Sequence, residues 1–480
     1  MNRRFVFNIL GKILVSEAVL LILPIIVALI YKESTVFALL ISALIALVLG
    51  LPLVLFSKPK NNLIFAREGF LIVALAWIAM SVIGALPFYI SREIPSYVDA
   101  FFETVSGFTT TGSTILTDVE ALSKSLLFWR SFTHWIGGMG VLVFVMAIMP
   151  NVSDRSIHII RAEMPGPVIG KLVPKVKDTA KILYLIYIVL TLVLAVLLMA
   201  GDMPVLDSFI HAFGTAGTGG FGIKADSIAS YSPYIQWVII IFMLLFGVNF
   251  NLYFLILIGR FKSALKSTEL WIYVSIVAIS TVIICANTFS LYNSFSESIR
   301  TSLFQVSAII TTTGFATTDF NLWPELSKGI LFVLMFIGGC AGSTAGGLKI
   351  SRVTMLFKTV RREIKRLLHP RSVSSVNFEG KRVDESTLSS ATTYFATFMF
   401  CFFAVFILLS FDKFDFVSNF TATATCLNNV GPGFNVVGPM GSFAGYSDFS
   451  KIVLSFAMLF GRLEIYPMII ALSPATWTKK

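Results

Sequence analysis

Charge is scarce in this sequence, and side chains able to do chemistry are scarcer still. Only 13% of the 480 residues are Asp, Glu, Lys or Arg. The four histidines (His134, His158, His211, His369) are scattered, and no His/Asp/Ser or His/Cys constellation recurs. The four cysteines (Cys285, Cys340, Cys401, Cys426) sit inside apolar stretches, with neither metal-ligand spacing nor paired extracellular arrangement. They read as small hydrophobes in helix packing. Hydrolytic and metal chemistry are thereby disfavoured, and no cofactor is expected in this chain. What is abundant is apolar: 56% of the residues are hydrophobic. The apolar runs exceed the roughly 20 residues a helix needs to cross a bilayer. The sequence therefore predicts a polytopic membrane protein. Its first span, from about Phe5, is followed at once by a second with no small-residue cleavage site between them, which reads as an anchor and not as a removed signal.

The net charge of +11 is explained by its distribution and not by nucleic-acid binding. Long spans are predicted at 5–31, 35–56, 67–90, 127–149, 180–200, 233–259, 270–290, 327–367, 388–411 and 450–473. With both termini in the cytoplasm, 27 of the 37 Lys and Arg residues fall on the cytoplasmic side and 8 outside. The positive-inside rule accepts this topology and rejects its mirror image. Fifteen of the 26 carboxylates fall outside, Asp99, Asp118, Glu120, Asp207 and Asp319 among them. A carboxylate-rich outer mouth concentrates cations. Two cytoplasmic stretches stand apart. Residues 150–181 carry Pro150, Pro165, Pro167 and Pro174 among basic residues, which suits an ordered loop near the headgroups. Residues 358–371 form a basic helical extension suited either to lipid contact or to a docking partner.

Four short apolar segments lead into Thr110-Thr111-Gly112, Thr218-Gly219-Gly220, Thr312-Thr313-Gly314 and Asn429-Val430-Gly431. Aligned without gaps on Gly112, Gly220, Gly314 and Gly431, they place Asp99, Asp207, Thr301 and Ser418 thirteen residues upstream, all types that cap helix N-termini. From Asp99 to Phe108 a helix is about 15 Å long, half of a hydrocarbon core of about 30 Å. The chain must then return as non-helical backbone, which is tolerated at membrane depth only inside protein or along water. One such loop could merely pack helices. Four in one register, at intervals of 108, 94 and 117 residues, predict a pseudo-fourfold pore. Each short helix points its partially negative C-terminus at the membrane centre, and the loop carbonyls replace the hydration shell of a cation.

The expected architecture is all-α: an N-terminal transmembrane hairpin (1–66), then four parallel repeats of outer helix, pore helix, loop and inner helix at 67–178, 179–265, 266–386 and 387–480. By analogy with potassium filters, the cation would bind at Thr111, Gly112, Gly219, Gly220, Thr313, Gly314, Val430 and Gly431, with Thr110, Thr218, Thr312 and Asn429 completing the filter. In the third inner helix the run Gly338-Gly339-Cys340-Ala341-Gly342-Ser343-Thr344-Ala345-Gly346-Gly347-Leu348-Lys349 cannot sustain a helix without cost. Lys349 does not follow a glycine directly and no Ser or Thr follows it, so the phosphate-loop pattern fails. The alternative is a movable loop across the conduction path, with Gly339, Gly342, Ser343, Thr344, Gly346 and Gly347 as its gate. Arg462 lies deep in the fourth inner helix, where a charge must be paired or hydrated. It is either bonded for structure or set beside the gate to repel ions. Glu464, two residues on, points elsewhere on a helix.

These motifs, with Trp135-Ile136-Gly137-Gly138-Met139-Gly140 and Phe460-Gly461-Arg462-Leu463-Glu464, resemble the Trk/Ktr/HKT superfamily of potassium uptake proteins, and among them the TrkH/TrkG type of membrane subunit. The resemblance spans essentially the whole chain. It implies a homodimer with one pore per protomer, filter glycines at 112, 220, 314 and 431, a gate loop at 339–347 and a pore arginine at Arg462. It also implies a cytosolic ring of TrkA-type RCK subunits that binds ATP/ADP or NAD, since no nucleotide site is visible in this chain. The location implied is a bacterial or archaeal cytoplasmic membrane.

The function expected is gated, channel-like potassium uptake, without enzymatic activity. Ser113 and Pro432 make the ring unequal, so a potassium-preferring filter is expected and not a highly exclusive one. A sodium- or proton-coupled symporter is the first rival, and it would want a buried carboxylate relay; the spans offer Glu464 and Glu17. A membrane enzyme and a non-transporting scaffold are further rivals, the first lacking catalytic pairs and the second having no use for four aligned loops.

Overall fold

In the computed structural model, which describes residues 2–57, 66–140, 176–372 and 374–477, helices form nearly all of the regular structure. The one sheet among the described residues is a hairpin of Asn377–Phe378 with Lys381–Arg382. Six helices there are long and apolar enough to cross a membrane: Arg3–Tyr31, Val36–Phe56, Arg67–Ile90, Ala180–Ala200, Thr268–Leu291 and Glu385–Leu409. Their outward faces carry large apolar side chains such as Phe37, Leu44 and Phe56, the surface that hydrocarbon and not water covers. The first two pack as a hairpin, and a methyl group on Gly11 would press on the Gly50 carbonyl. Such close backbone approach is how helices associate where lipid removes the hydrophobic drive.

The other four crossing helices are the outer members of the repeats, outer and inner meaning distance from the pore axis. Each is followed by a short helix: Tyr97–Phe108, Val205–Gly217, Phe295–Ile310 and Phe416–Asn428. These start earlier than the sequence register placed them. Ser96, Ser294 and Asp415 are the residues whose side chains accept the capping hydrogen bonds, and the second helix begins after Pro204. Asp99 and Asp207 lie instead in the first turn, and Thr301 well inside its helix. The displacement has a simple cause. Acidic residues are favoured both at the cap and throughout the first turn, where they meet the positive end of the dipole.

The inner helices depart further from expectation. Only the third was predicted to break, yet the second and fourth break too. Pro233–Phe246 and Phe250–Leu257 meet at 91° across Gly247–Asn249. Asp448–Arg462 stops at Leu463, and the chain turns through Glu464 and Ile465, with φ of 53° and 64°, before Tyr466–Leu472. Left-handed backbone at a β-branched isoleucine is strained and persists only where packing imposes it. The third runs Glu325–Ile337, leaves helical geometry over Gly338–Lys349, and resumes as Ile350–Leu368. The first, Lys124–Gly138, ends shortly before residue 141. The part of the predicted 127–149 span beyond Gly140, and the proline-rich loop up to residue 175, lie outside the described residues.

Candidate selectivity ring and gate

The four glycine loops share one backbone. Two residues before each glycine the chain turns left-handed, with φ of 54° at Thr110, 56° at Thr218, 54° at Thr312 and 55° at Asn429. The glycines are left-handed as well: 83° at Gly112, 78° at Gly220, 78° at Gly314 and 101° at Gly431. Alternating hands along a strand turn successive carbonyls toward one side, and glycine takes the second left-handed site without steric cost. Non-glycine residues at the first site cost about 1–2 kcal/mol each, which the surrounding packing must supply.

The loops also close on each other in order. A methyl group on Gly112 would overlap the Gly219 carbonyl oxygen, one on Gly220 that of Thr313, and one on Gly314 that of Val430. On Gly431 it would press on the Thr111 oxygen, which returns the circuit to repeat 1. Carbonyls of Thr111, Gly219, Thr313 and Val430 thus stand at one level around one axis. Buried side chains hold the strands from behind. The hydroxyls of Thr109 and Thr111 pair at 2.7 Å and those of Thr311 and Thr313 at 2.8 Å. The Asn429 amide donates to Thr111 Oγ1 and to the Met458 carbonyl, both at 2.9 Å. Ser113 Oγ donates to the Gly431 carbonyl at 3.1 Å, joining the two repeats that sequence singled out as irregular.

A vestibule of about 130 Å³ opens on one side of the ring, and Gly112, Gly220, Gly314 and Gly431 all line it. Its charged lining is basic, Arg130 and Lys224. Three of the carboxylates expected at this mouth have partners of their own: Asp99 pairs with Lys451 at 2.6 Å, Glu120 accepts the N–H of Ala225 at the vestibule wall, and Asp319 accepts the Asn321 N–H. The charged side chains that line the vestibule itself are thus cationic, while the ring behind them presents carbonyls and the C-terminal ends of the short helices.

On the opposite side lies a cavity of about 40 Å³ lined by Gly342, Ser343, Gly346, Gly347, Arg462 and Gly138 among others. The broken segment of the third inner helix crosses here, held by bonds from repeats 2, 3 and 4. Its Cys340 N–H donates to the Gly247 carbonyl and its Gly342 carbonyl accepts the Phe250 N–H, both at 3.0 Å, so the break in the second inner helix docks it. Thr344 Oγ1 donates to the Phe246 carbonyl at 3.2 Å. The Gly346 N–H donates to Thr312 Oγ1 at 2.6 Å, a direct link to a ring residue, and the Gly347 N–H donates to the Asn428 carbonyl at 3.0 Å. Gly339 accepts the Ile350 N–H through its carbonyl at 3.0 Å.

Arg462 ties the segment to two further elements. Its guanidinium donates to the Thr344 carbonyl at 2.8 Å and to those of Gly137 and Gly138 at 2.6 and 2.8 Å. It is bonded to backbone and lies beside the loop. Glu464 is not on a helix at all. From the break it forms an ion pair with Arg352, just past the loop.

Several contributing residues escaped the sequence reading. Glu269 Oε1 accepts the N–H groups of Ala341 and Ser351 at 2.8 and 3.1 Å, fastening both ends of the segment. Lys349 Nζ donates to the Ala345 carbonyl inside it. His134 bridges Gly107 O at 2.7 Å and the Phe221 N–H at 3.3 Å, between repeats 1 and 2. Intramembrane charge was the available signal for Glu269 and Lys349, since such groups are rare unless partnered. Nothing in the pattern around His134 gives its partners.

Three comparisons bear on this arrangement. Residues 35–479 match the TrkH family, described as a cation transport protein. The chain is 36% identical to the Trk system potassium uptake protein TrkH of Salmonella typhimurium, covering 99% of this chain and all of that one. It is 34% identical to TrkG of Escherichia coli K12 over 99% of this chain and 98% of the relative. Among solved structures, the potassium transporter TrkH from Vibrio parahaemolyticus superposes with a TM-score of 0.90 at 33% identity, over the full length of both chains.

Proposed function

Because the chain belongs to the TrkH family, whose members are transporters and not enzymes, we propose that it carries potassium into the cell through the four-loop ring, with the 339–347 segment as its gate. One observation carries this: the closed circuit in which each ring glycine abuts the carbonyl of the next repeat. A potassium ion entering from the vestibule gives up its water to carbonyls presented by all four loops. The dipoles of four short helices offset the remaining desolvation cost. The driving force is the membrane potential, about 2.3 kcal/mol per charge per 100 mV.

In the closed state the segment lies across the path beneath the ring, and the Arg462 guanidinium adds a repulsive charge. Opening requires the loop to leave its hydrogen bonds to Thr312, Asn428 and Arg462. The working unit is a homodimer in a cytoplasmic membrane with both termini inside. A TrkA-type cytosolic subunit binding ATP/ADP or NAD supplies the force that moves the loop.

The test is flux through the purified protein in liposomes, with potassium, rubidium and sodium compared under imposed potentials. Uptake that follows voltage without a second gradient supports this reading. Dependence on a proton or sodium gradient would favour a coupled symporter. One observation gives that second reading substance. The Glu17 carboxylate is buried against Gly84, and neither of its oxygens has a hydrogen-bond partner among the described residues. A carboxyl group in that setting is a place for a proton.

A further inference from the structure

Nine residues before each ring glycine stand Glu103, His211, Gln305 and Ala422. All four are fully or almost fully buried, but they do very different work. Glu103 accepts from Thr114 Oγ1 and from the Ile115 N–H, both at 2.9 Å, and so holds the strand that leaves the ring in repeat 1. It also pairs with Arg130 of the first inner helix at 2.6 Å. Arg130, 3% exposed, extends the connection into repeat 2: it donates to the Gly222 carbonyl at 3.1 Å and its guanidinium lies 3.4 Å over the Phe221 ring. In repeat 3 the counterpart is one long bond of 3.4 Å from Gln305 to Thr317. His211 leaves its Nε2 without a partner, so the second short helix contributes no such strut to its own strand. In repeat 4, with Ala422, the neighbouring Thr421 hydroxyl accepts the Phe434 N–H at 3.1 Å.

We propose that the Glu103–Arg130 pair is a positioning element for the ring: it holds the exit strands of repeats 1 and 2 at fixed separation and so sets the preference for potassium over sodium. Repeat 2 relies on it, alongside His134, because among the described residues its own short helix gives the exit strand no hydrogen bond in that place. A buried ion pair rarely stabilises a fold better than apolar residues of the same volume would, and its defensible role is to specify one geometry. A ring that must present carbonyls to a potassium ion without closing on a sodium ion needs such a constraint, since unconstrained strands relax toward the smaller ion. This inference rests on the potassium pore proposed above.

The experiment compares wild type with Glu103→Gln, Arg130→Lys and the double variant Glu103→Met/Arg130→Met, all purified full length and reconstituted. Two readouts are taken: the potassium-to-sodium permeability ratio from bi-ionic potentials, and the shift in thermal midpoint when potassium replaces sodium in detergent, which needs no conduction. Each single variant is expected to lower the ratio about tenfold and to shrink the potassium-specific midpoint shift, because breaking a buried pair frees the strands. The double Met variant should recover midpoint in sodium but not the ratio. Single variants with wild-type selectivity, or a double variant that recovers selectivity along with stability, would overturn the proposal. Wild-type protein showing neither flux nor a potassium-specific shift would sink the potassium reading itself, and this inference with it.

Discussion

The ring and the gate are built by opposite rules, although both are made of the same four repeats. At the ring, all four loops adopt one conformation, with φ between 54° and 56° at the position before the last carbonyl. At the inner-helix breaks the repeats disagree. The second turns through three residues, the fourth through three of which Glu464 and Ile465 are strained, and the third through the twelve of Gly338–Lys349. The difference follows from what each place must do. On the proposed function, a desolvated cation has to be liganded from all sides, so four equivalent strands are needed. On the proposed reading, blocking a path takes one obstacle, and the two short breaks beside one long one among the described residues leave room for it.

The sharpest way to break the comparison is to damage the symmetric half. Gly220→Ala puts a methyl group into the Thr313 carbonyl and asks alanine to adopt left-handed backbone, so potassium flux in liposomes should fall about 100-fold or more, some 2.8 kcal/mol in rate terms. Near-normal flux would show that the ring is looser than its backbone suggests. Next in size is the asymmetric half. Deleting residues 340–346 should raise rubidium uptake about tenfold without any regulatory subunit, and unchanged uptake would remove the segment from the gating role.

Arg462→Ala is a smaller perturbation that weighs repulsion against bonding. Loss of three charge-assisted bonds, each worth about 1.5–3 kcal/mol at most, loosens the loop and removes a positive charge from the path. Flux should rise several-fold while the thermal midpoint drops. Reduced flux with normal folding would assign the residue to structure alone. The mildest test probes a bond that joins the two halves directly. Thr312→Val leaves the Gly346 N–H without its acceptor, at a cost of about 1–3 kcal/mol to the closed loop. Rubidium uptake at zero potential should increase about twofold or more if the closed state weakens; unchanged uptake would separate ring from gate energetically.

Much of this was legible in the chain because membrane folds are constrained by length and polarity. Apolar runs, charge asymmetry and four glycines in register are local or periodic features, and hydrocarbon leaves backbone few alternatives. The interruption at Gly338–Lys349 was legible for the same reason, since so many glycines in a helix are costly. The helix starts were not, because cap and first turn favour the same residues, as Ser96 and Asp99 illustrate. The break at Glu464–Ile465 was not either: an isoleucine with positive φ contradicts every local preference and exists only because packing around the fourth inner helix imposes it.

The sequence by itself determined a helical membrane protein, four loops of one design and a glycine-rich interruption in the third inner helix. Tertiary structure alone decided that the loops close in cyclic order, each glycine on the next repeat's carbonyl. It alone decided that the vestibule's charged lining is Arg130 and Lys224 while Asp99 and Glu120 have partners of their own. The pairings of Glu103 with Arg130 and of Glu464 with Arg352, 27 and 112 positions apart, belong to the same class. The reason is physical. Burial and periodicity act along the chain and can be read from it, whereas the partner of a buried charge is chosen by which elements meet, and that is settled only when the four repeats close around their axis.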